Sequence, residues 1–206
     1  MKWAIRIVGT IAALLVVGIL GLWIASNRRD AGRMRASVEI ERAPEEIWPW
    51  ITEPEQLPQW VGWLAEVKPD TTSPAEGIGH RETWVMDDPR AKTQLLVPGT
   101  VTLWEPPDQV GVHVEVPGQF DGDVLYTLTD LGNGTTRVEQ DGRFTYASKL
   151  VSLLEPLLTP DAMRKMFDDM KRLKEKVESV PEDPNQGVHD DMDSTGTQAP
   201  ADSTRR

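Results

Sequence analysis

The 206-residue chain carries 33 acidic against 22 basic side chains, a formal net charge of -11, and has no cysteine. The missing cysteine excludes disulfides, thiol nucleophiles and thiolate metal sites. The acidic balance, without any basic stripe, argues against a nucleic-acid partner, whose phosphates such a surface repels.

Composition divides the chain into three parts. Residues 1–31 are an apolar segment with a basic flank. Residues 32–180 mix apolar and charged residues as one globular α+β domain does. Residues 181–206 are polar and acidic, too poor in apolar surface to fold, and are expected to be a disordered tail.

No charged residue lies between Ile7 and Ala25, and Thr10 is the clearly polar member of that run. In a helix rising about 1.5 Å per residue, Trp3 and Trp23 lie roughly 30 Å apart, the thickness of a bilayer's hydrocarbon core, and tryptophan favours its two interfaces. Lys2 and Arg6 flank one end; Arg28, Arg29, Arg33 and Arg35 flank the other. These features predict a single-pass anchor in the cell membrane through residues 4–25. A cleaved signal peptide is the competing reading. The apolar run exceeds the roughly 7–15 residues of a signal sequence, and a cut after Ala25 or Ser26 puts bulky Trp23 or Ile24 where a small residue is needed. Four arginines against Asp30 on the C-terminal flank lean the soluble domain toward the cytoplasm.

Met34, Ala36, Val38 and Ile40 alternate with polar residues and predict a half-buried strand. Ala43-Pro44-Glu45-Glu46 then reads as a helix start, with proline in the first turn and two glutamates at the positive end of the dipole. A second short helix is expected from Pro54, with Leu57 and Trp60 buried. Strand patterns follow at Leu64 to Lys68, Gly77 to Met86, and Thr93 to Trp104, the last bent at Pro98-Gly99. More follow at Val110 to Val116, Val124 to Leu128, and Thr136 to Tyr146, with Asn133-Gly134 as a hairpin signal. Consecutive strands joined by short loops predict an antiparallel meander.

Leu150, Val151, Leu154, Leu157 and Leu158 form an apolar helical stretch broken by Pro156 and Pro160. Burial under the sheet is the expectation for it, since exposed apolar patches are uncommon. Thr159-Pro160-Asp161 reads as a fresh cap. From there Met163, Met166, Phe167, Met170, Leu173 and Val177 recur at helical spacing. A long amphipathic helix after a curved sheet covers its concave face and leaves a cavity where the cover is incomplete.

Two stretches carry a resemblance to a known family. They are Val38-Glu39-Ile40-Glu41-Arg42-Ala43-Pro44-Glu45-Glu46-Ile47-Trp48 and Glu53-Pro54-Glu55-Gln56-Leu57-Pro58-Gln59-Trp60, supported by Gly77-x-Gly79 and the long final helix. With this order of elements, residues 33–180 resemble the START-like helix-grip superfamily, which includes polyketide cyclase/dehydrase-like proteins. Glu53 stands where such domains usually have aspartate. The resemblance implies a curved sheet of about seven strands wrapped around a C-terminal helix, with two short helices after the first strand. It says little about function, because that family hosts lipid carriers, receptors, cyclases and co-chaperones.

Alternation brings Ile78, Trp84 and Met86 to the inner face, and with them His80 and Glu82. Gln140 shares a face with Val138, Phe144 and Tyr146, and Tyr126 with Val124 and Leu128. The expected ligand-binding set is Trp48, His80, Glu82, Trp84, Tyr126, Gln140, Phe144 and Tyr146, with Met163 and Phe167 from the final helix. His113 lies opposite the valines and is expected to be exposed; His189 lies in the tail. Three dispersed histidines give no metal-ligand spacing, and there is no phosphate loop, dinucleotide fingerprint or nucleophile-elbow serine, so no metal or cofactor is expected. Three functions remain open. One is a membrane-anchored domain binding a hydrophobic small molecule or lipid, with no catalytic residue. Another is a cyclase/dehydrase-like enzyme using His80 and Glu82. The third is a protein-interaction module with a filled core.

Overall fold

The computed structural model describes residues 2–28, 32–88 and 93–181. The acidic tail beyond Pro181, with His189, and the flanking Arg29 and Asp30 lie outside the described residues. Helix α1 (Lys2–Ser26) leads to β1 (Arg33–Ile40), α2 (Pro44–Thr52), a 3-10 turn (Leu57–Gln59) and β2 (Leu64–Pro69). Then come β3 (Arg81–Asp88), β4 (Thr93–Glu105), β5 (Gln109–Val116), β6 (Phe120–Asp130), β7 (Thr136–Tyr146) and α3 (Lys149–Ser179). The strands form one antiparallel sheet in the order β1-β7-β6-β5-β4-β3-β2. This is the α+β helix-grip architecture that the family resemblance implied.

Period two explains the strands. Ala36 and Ile40 of β1 and Val138 of β7 are buried, while Glu39 faces out and pairs with Arg137 at 2.8 Å. The β6–β7 hairpin turns through Gly132 and Gly134, both at positive φ, a conformation glycine adopts without steric cost. Helix α2 starts as predicted. Pro44 occupies its first turn, and the Ala43 N–H, in place of any side-chain cap, donates to Glu46 Oε2 at 2.9 Å. The second short helix is a single 3-10 turn, and it buries Leu57 and Trp60.

Three local expectations are corrected. Strand β4 stays in register with its neighbours through Pro98 and Gly99; its irregularity lies between Val101 and Leu103, opposite β5. Helix α3 runs unbroken through Pro156 and Pro160, so Thr159 caps nothing. The cap is Ser148, whose side chain accepts from the Val151 N–H, and the Thr159 hydroxyl bonds back to the Glu155 carbonyl at 3.0 Å. Tertiary packing, mainly against β1, outweighs the local breaking signal of the two prolines. Burial of the apolar start of α3 also fails, since Leu150 is 64% exposed and Leu157 63%.

The core lies between the concave sheet face and α3, with α2 closing one end. Ile40, Ile47, Trp60, Val97, Val114, Val138, Met170 and Leu173 are its most enclosed large residues. A polar latch holds the 3-10 turn to α3. Buried Asp169 accepts from the Gly62 N–H at 3.1 Å and Trp63 Nε1 at 3.3 Å, and pairs with Arg172, whose Nε donates to the Trp60 carbonyl at 2.8 Å.

Helix α1 is long and apolar enough between Arg6 and Ser26 to cross a bilayer, and none of that stretch is buried in the domain. A helix of this kind serves either as a membrane span or as a signal sequence.

Candidate functional site: a polar-ended pocket under α2

The pocket forms where α3 leaves the sheet uncovered. Ile51 of α2, Pro54 and Leu57 roof it; Val101, Trp104, Val110 and Val112 of β4 and β5 floor it. His80, Glu82, Trp84 and Tyr126 line its polar end, and its mouth passes exposed Ala75 and Glu76. Its volume is about 100 Å³. Pockets for drug-sized ligands run about 300–1,000 Å³, and an apolar cavity of about 150 Å³ takes benzene. The space is therefore smaller than either, enough for a compact group rather than a whole lipid.

Glu82 is 7% exposed. Trp84 Nε1, two residues along β3 on the same face, donates to Glu82 Oε1 at 2.5 Å. His80 Nε2 stands 3.9 Å from Glu82 Oε2. His80 Nδ1 lies 2.7 Å from the Pro74 carbonyl. A carbonyl only accepts, so Nδ1 carries the hydrogen and in the neutral ring Nε2 presents its lone pair toward Glu82. Burial pushes the Glu82 carboxyl above its ordinary range, against the lowering effects of the Trp84 hydrogen bond and of charge on His80.

Tyr126 on β6 is buried, its ring edge-on to Trp60 with centroids 6.2 Å apart. Among the described residues, every fully buried side-chain nitrogen or oxygen has a hydrogen-bond partner. The Tyr126 hydroxyl has no protein partner there, so it opens into the pocket it lines. Burial, and then the charge on Glu82, pushes the phenol up, so it stays protonated and able to donate. A carboxyl, an imidazole nitrogen and a free phenol thus converge on one apolar space.

The ten residues expected at the site divide. His80, Glu82, Trp84 and Tyr126 come together. Trp48 is not among the lining residues; it is edge-on to Trp104, which is, with centroids 5.2 Å apart. Phe144 is edge-on to Phe120 and lies flat over Gly122 and Gly142, away from the pocket. Gln140 and Phe167 border a separate depression beside β1, where Phe167 is 44% exposed. Tyr146 lies near Glu155, at the start of α3, where burial and that charge raise its phenol. Met163 is half-buried on α3. Ile78 is 66% exposed rather than inward. Gly77 and Gly79, at φ 84° and 85°, take the chain out of the strand before Arg81, so alternation does not extend back to Ile78.

Trp104 was missed. Strict alternation from Val101 puts it on the outer face; the extra residue at the Val101/Leu103 bulge turns it inward. His113 lies on the outer face, 2.9 Å from Asp123.

Comparison with known proteins agrees with this architecture. The family described as polyketide cyclase / dehydrase and lipid transport matches residues 31–178. No curated protein matches the chain. Among solved structures, a conserved protein of Geobacillus kaustophilus is similar at 16% identity and a TM-score of 0.58, over 71% of this chain and 95% of that one. A Thermus thermophilus protein is similar at 18% identity and a TM-score of 0.57, over 71% and 97%. A Nitrosomonas europaea protein is similar at 16% identity and a TM-score of 0.56, over 71% and 94%. At these identities the structures share the fold, and the match along residues 31–178 carries the assignment: this chain belongs to the polyketide cyclase / dehydrase and lipid transport family.

Proposed function

We propose that the domain binds a small hydrophobic molecule, or the compact end of a larger lipid, in the pocket under α2, and that α1 anchors it to the cell membrane with the domain on the cytoplasmic side. The observation that carries the reading is the pairing of buried Glu82 with the unpartnered hydroxyl of Tyr126 across an apolar space. Polar groups brought together on an otherwise apolar space are the usual make-up of a ligand pocket, and a carboxyl whose ionisation burial perturbs is a further mark of one. Trp84, Trp104 and the valines supply apolar contact; Glu82 and Tyr126 hold the ligand's polar group. The size of the pocket favours a compact ligand over a whole diacyl lipid, and the open space weighs against a fully filled interaction module.

Native mass spectrometry of the full chain released from detergent micelles tests this. A co-purified apolar molecule is expected, with its occupancy lowered at least about tenfold by Tyr126→Phe and Glu82→Gln. An empty protein that also takes up no hydrophobic fluorescent probe, or an occupancy unchanged in both variants, would sink the proposal. The His80–Glu82 geometry supports a second reading, proton transfer on the bound molecule. In that case Glu82→Gln lowers turnover by orders of magnitude while binding changes only a few-fold.

A further inference from the structure

We propose that the first nine residues of α3, Lys149 to Leu157, dock on the surface of the bilayer that α1 enters, with Leu150 and Leu157 in the acyl-chain boundary. The inference rests on the reading of α1 as a membrane span. Single exposed leucines carry no message. These two stand seven residues apart, on one helix face, at 64% and 63% exposure, with Val151, Leu153 and Leu154 half-buried beside them. The one acid of the segment, Glu155, is turned inward and buried, so the outward face from Lys149 to Leu157 bears no negative charge.

The occupant follows from what lies next to this face. Helix α1 packs against α3. Just beyond α1, the Gly32 N–H donates to Glu155 Oε1 at 3.1 Å in a buried hydrogen bond. Exposed Trp23, one turn before the end of α1, marks the depth of the headgroups when the helix spans. The contact between the helices and the Gly32–Glu155 hydrogen bond tether the start of α3 to the segment that follows α1. Exposed Lys149 adjoins Leu150, where lipid phosphates would meet it. Past Pro160 the exposed face turns charged, with Arg164 and Lys165.

The chain has no cysteine, so single cysteines can report position in the full-length protein. Leu150→Cys, Leu157→Cys, Val16→Cys and Glu175→Cys would each carry an environment-sensitive fluorophore in vesicles of phosphatidylcholine and phosphatidylglycerol. Labels at 150 and 157 are expected to shift to the blue and to be quenched several-fold more by shallow doxyl-lipid than by aqueous iodide, with the reverse at 175. If 16 is quenched by lipid while 150 and 157 behave like 175, docking is overturned and the anchor stands. If 16 is not quenched by lipid, the anchor reading fails and docking falls with it. Labels at 150 and 157 shielded from both quenchers, as burial against a second copy would give, also overturn the proposal.

Discussion

Trp84 Nε1 donates to Glu82 Oε1 at 2.5 Å, so the indole and the carboxyl are held side by side on the pocket face of β3. The indole supplies a short hydrogen bond to a carboxyl that burial drives toward its neutral form. Trp84→Phe keeps the ring and removes the donor. It should cost about 1–3 kcal/mol, the range for leaving a buried polar group unpaired. Losing the hydrogen bond that lowers the Glu82 pKa makes the deficit larger at pH 8 than at pH 4. Urea unfolding at the two pH values checks both the size and the trend.

Glu82→Gln should show the opposite sign. The carboxyl titrates higher in the folded chain than its ordinary 4.5. Its favourable contribution is therefore full below the unfolded value and is lost as pH rises through the folded one. Glutamine stays neutral throughout. The melting temperature of the variant relative to the parent should rise from pH 4 to pH 8, because all other groups cancel in the difference. Parallel curves across that interval would show that Glu82 does not titrate abnormally.

Asp169→Ala should release the 3-10 turn from α3. It leaves the Gly62 N–H and the Trp63 indole without their acceptor and Arg172 without its partner. Hydrogen bonds to charged groups are worth about 1.5–3 kcal/mol, and a loss of that order is expected in denaturant unfolding. Asp169→Asn retains an acceptor for Gly62 and should lose less.

Glu155→Ala should act at the junction between α1 and the domain. The carboxylate accepts from the Gly32 N–H and, at 2.5 Å, from the Thr159 hydroxyl. Without it the Gly32 amide should lose its protection from hydrogen exchange, while core amides such as that of Val138 keep theirs. The cost to stability should be about 1–3 kcal/mol.

Much of the fold was legible because alternation and helical spacing record burial directly. Ala36 and Ile40 in β1, the valines of β5, and Met166, Met170, Leu173 and Val177 in α3 are buried as their spacing predicts. His80, Glu82, Trp84 and Tyr126 could be placed together because β3 and β6 carry no irregularity beside them. What stayed hidden depends on contacts between distant segments. The bulge that turns Trp104 inward has no local signal beyond Gly111 opposite it, where an added Cβ would stand 3.0 Å from Leu103 Cβ. Phe144 belonged to the right face, but the missing side chains of Gly122 and Gly142 let it lie down on the sheet away from the pocket; a Cβ on Gly122 would collide with its ring. The separation of Gln140 from Glu82 follows from strand order, which puts β6, β5 and β4 between β7 and β3.

That strand order also constrains how the protein is made. Arg33 pairs with Arg143 and Ile40 with Thr136, so the strand nearest α1 has no partner until the last strand has been synthesised. Closing a loop of this length is an entropic cost met before any contact returns it, and such long-range pairing is slow. During synthesis β1 stays an open edge, beside a growing meander, for nearly the whole of translation. In that interval the unpaired edge can recruit strands from other chains, so the last stage of assembly is where a chaperone would have most effect.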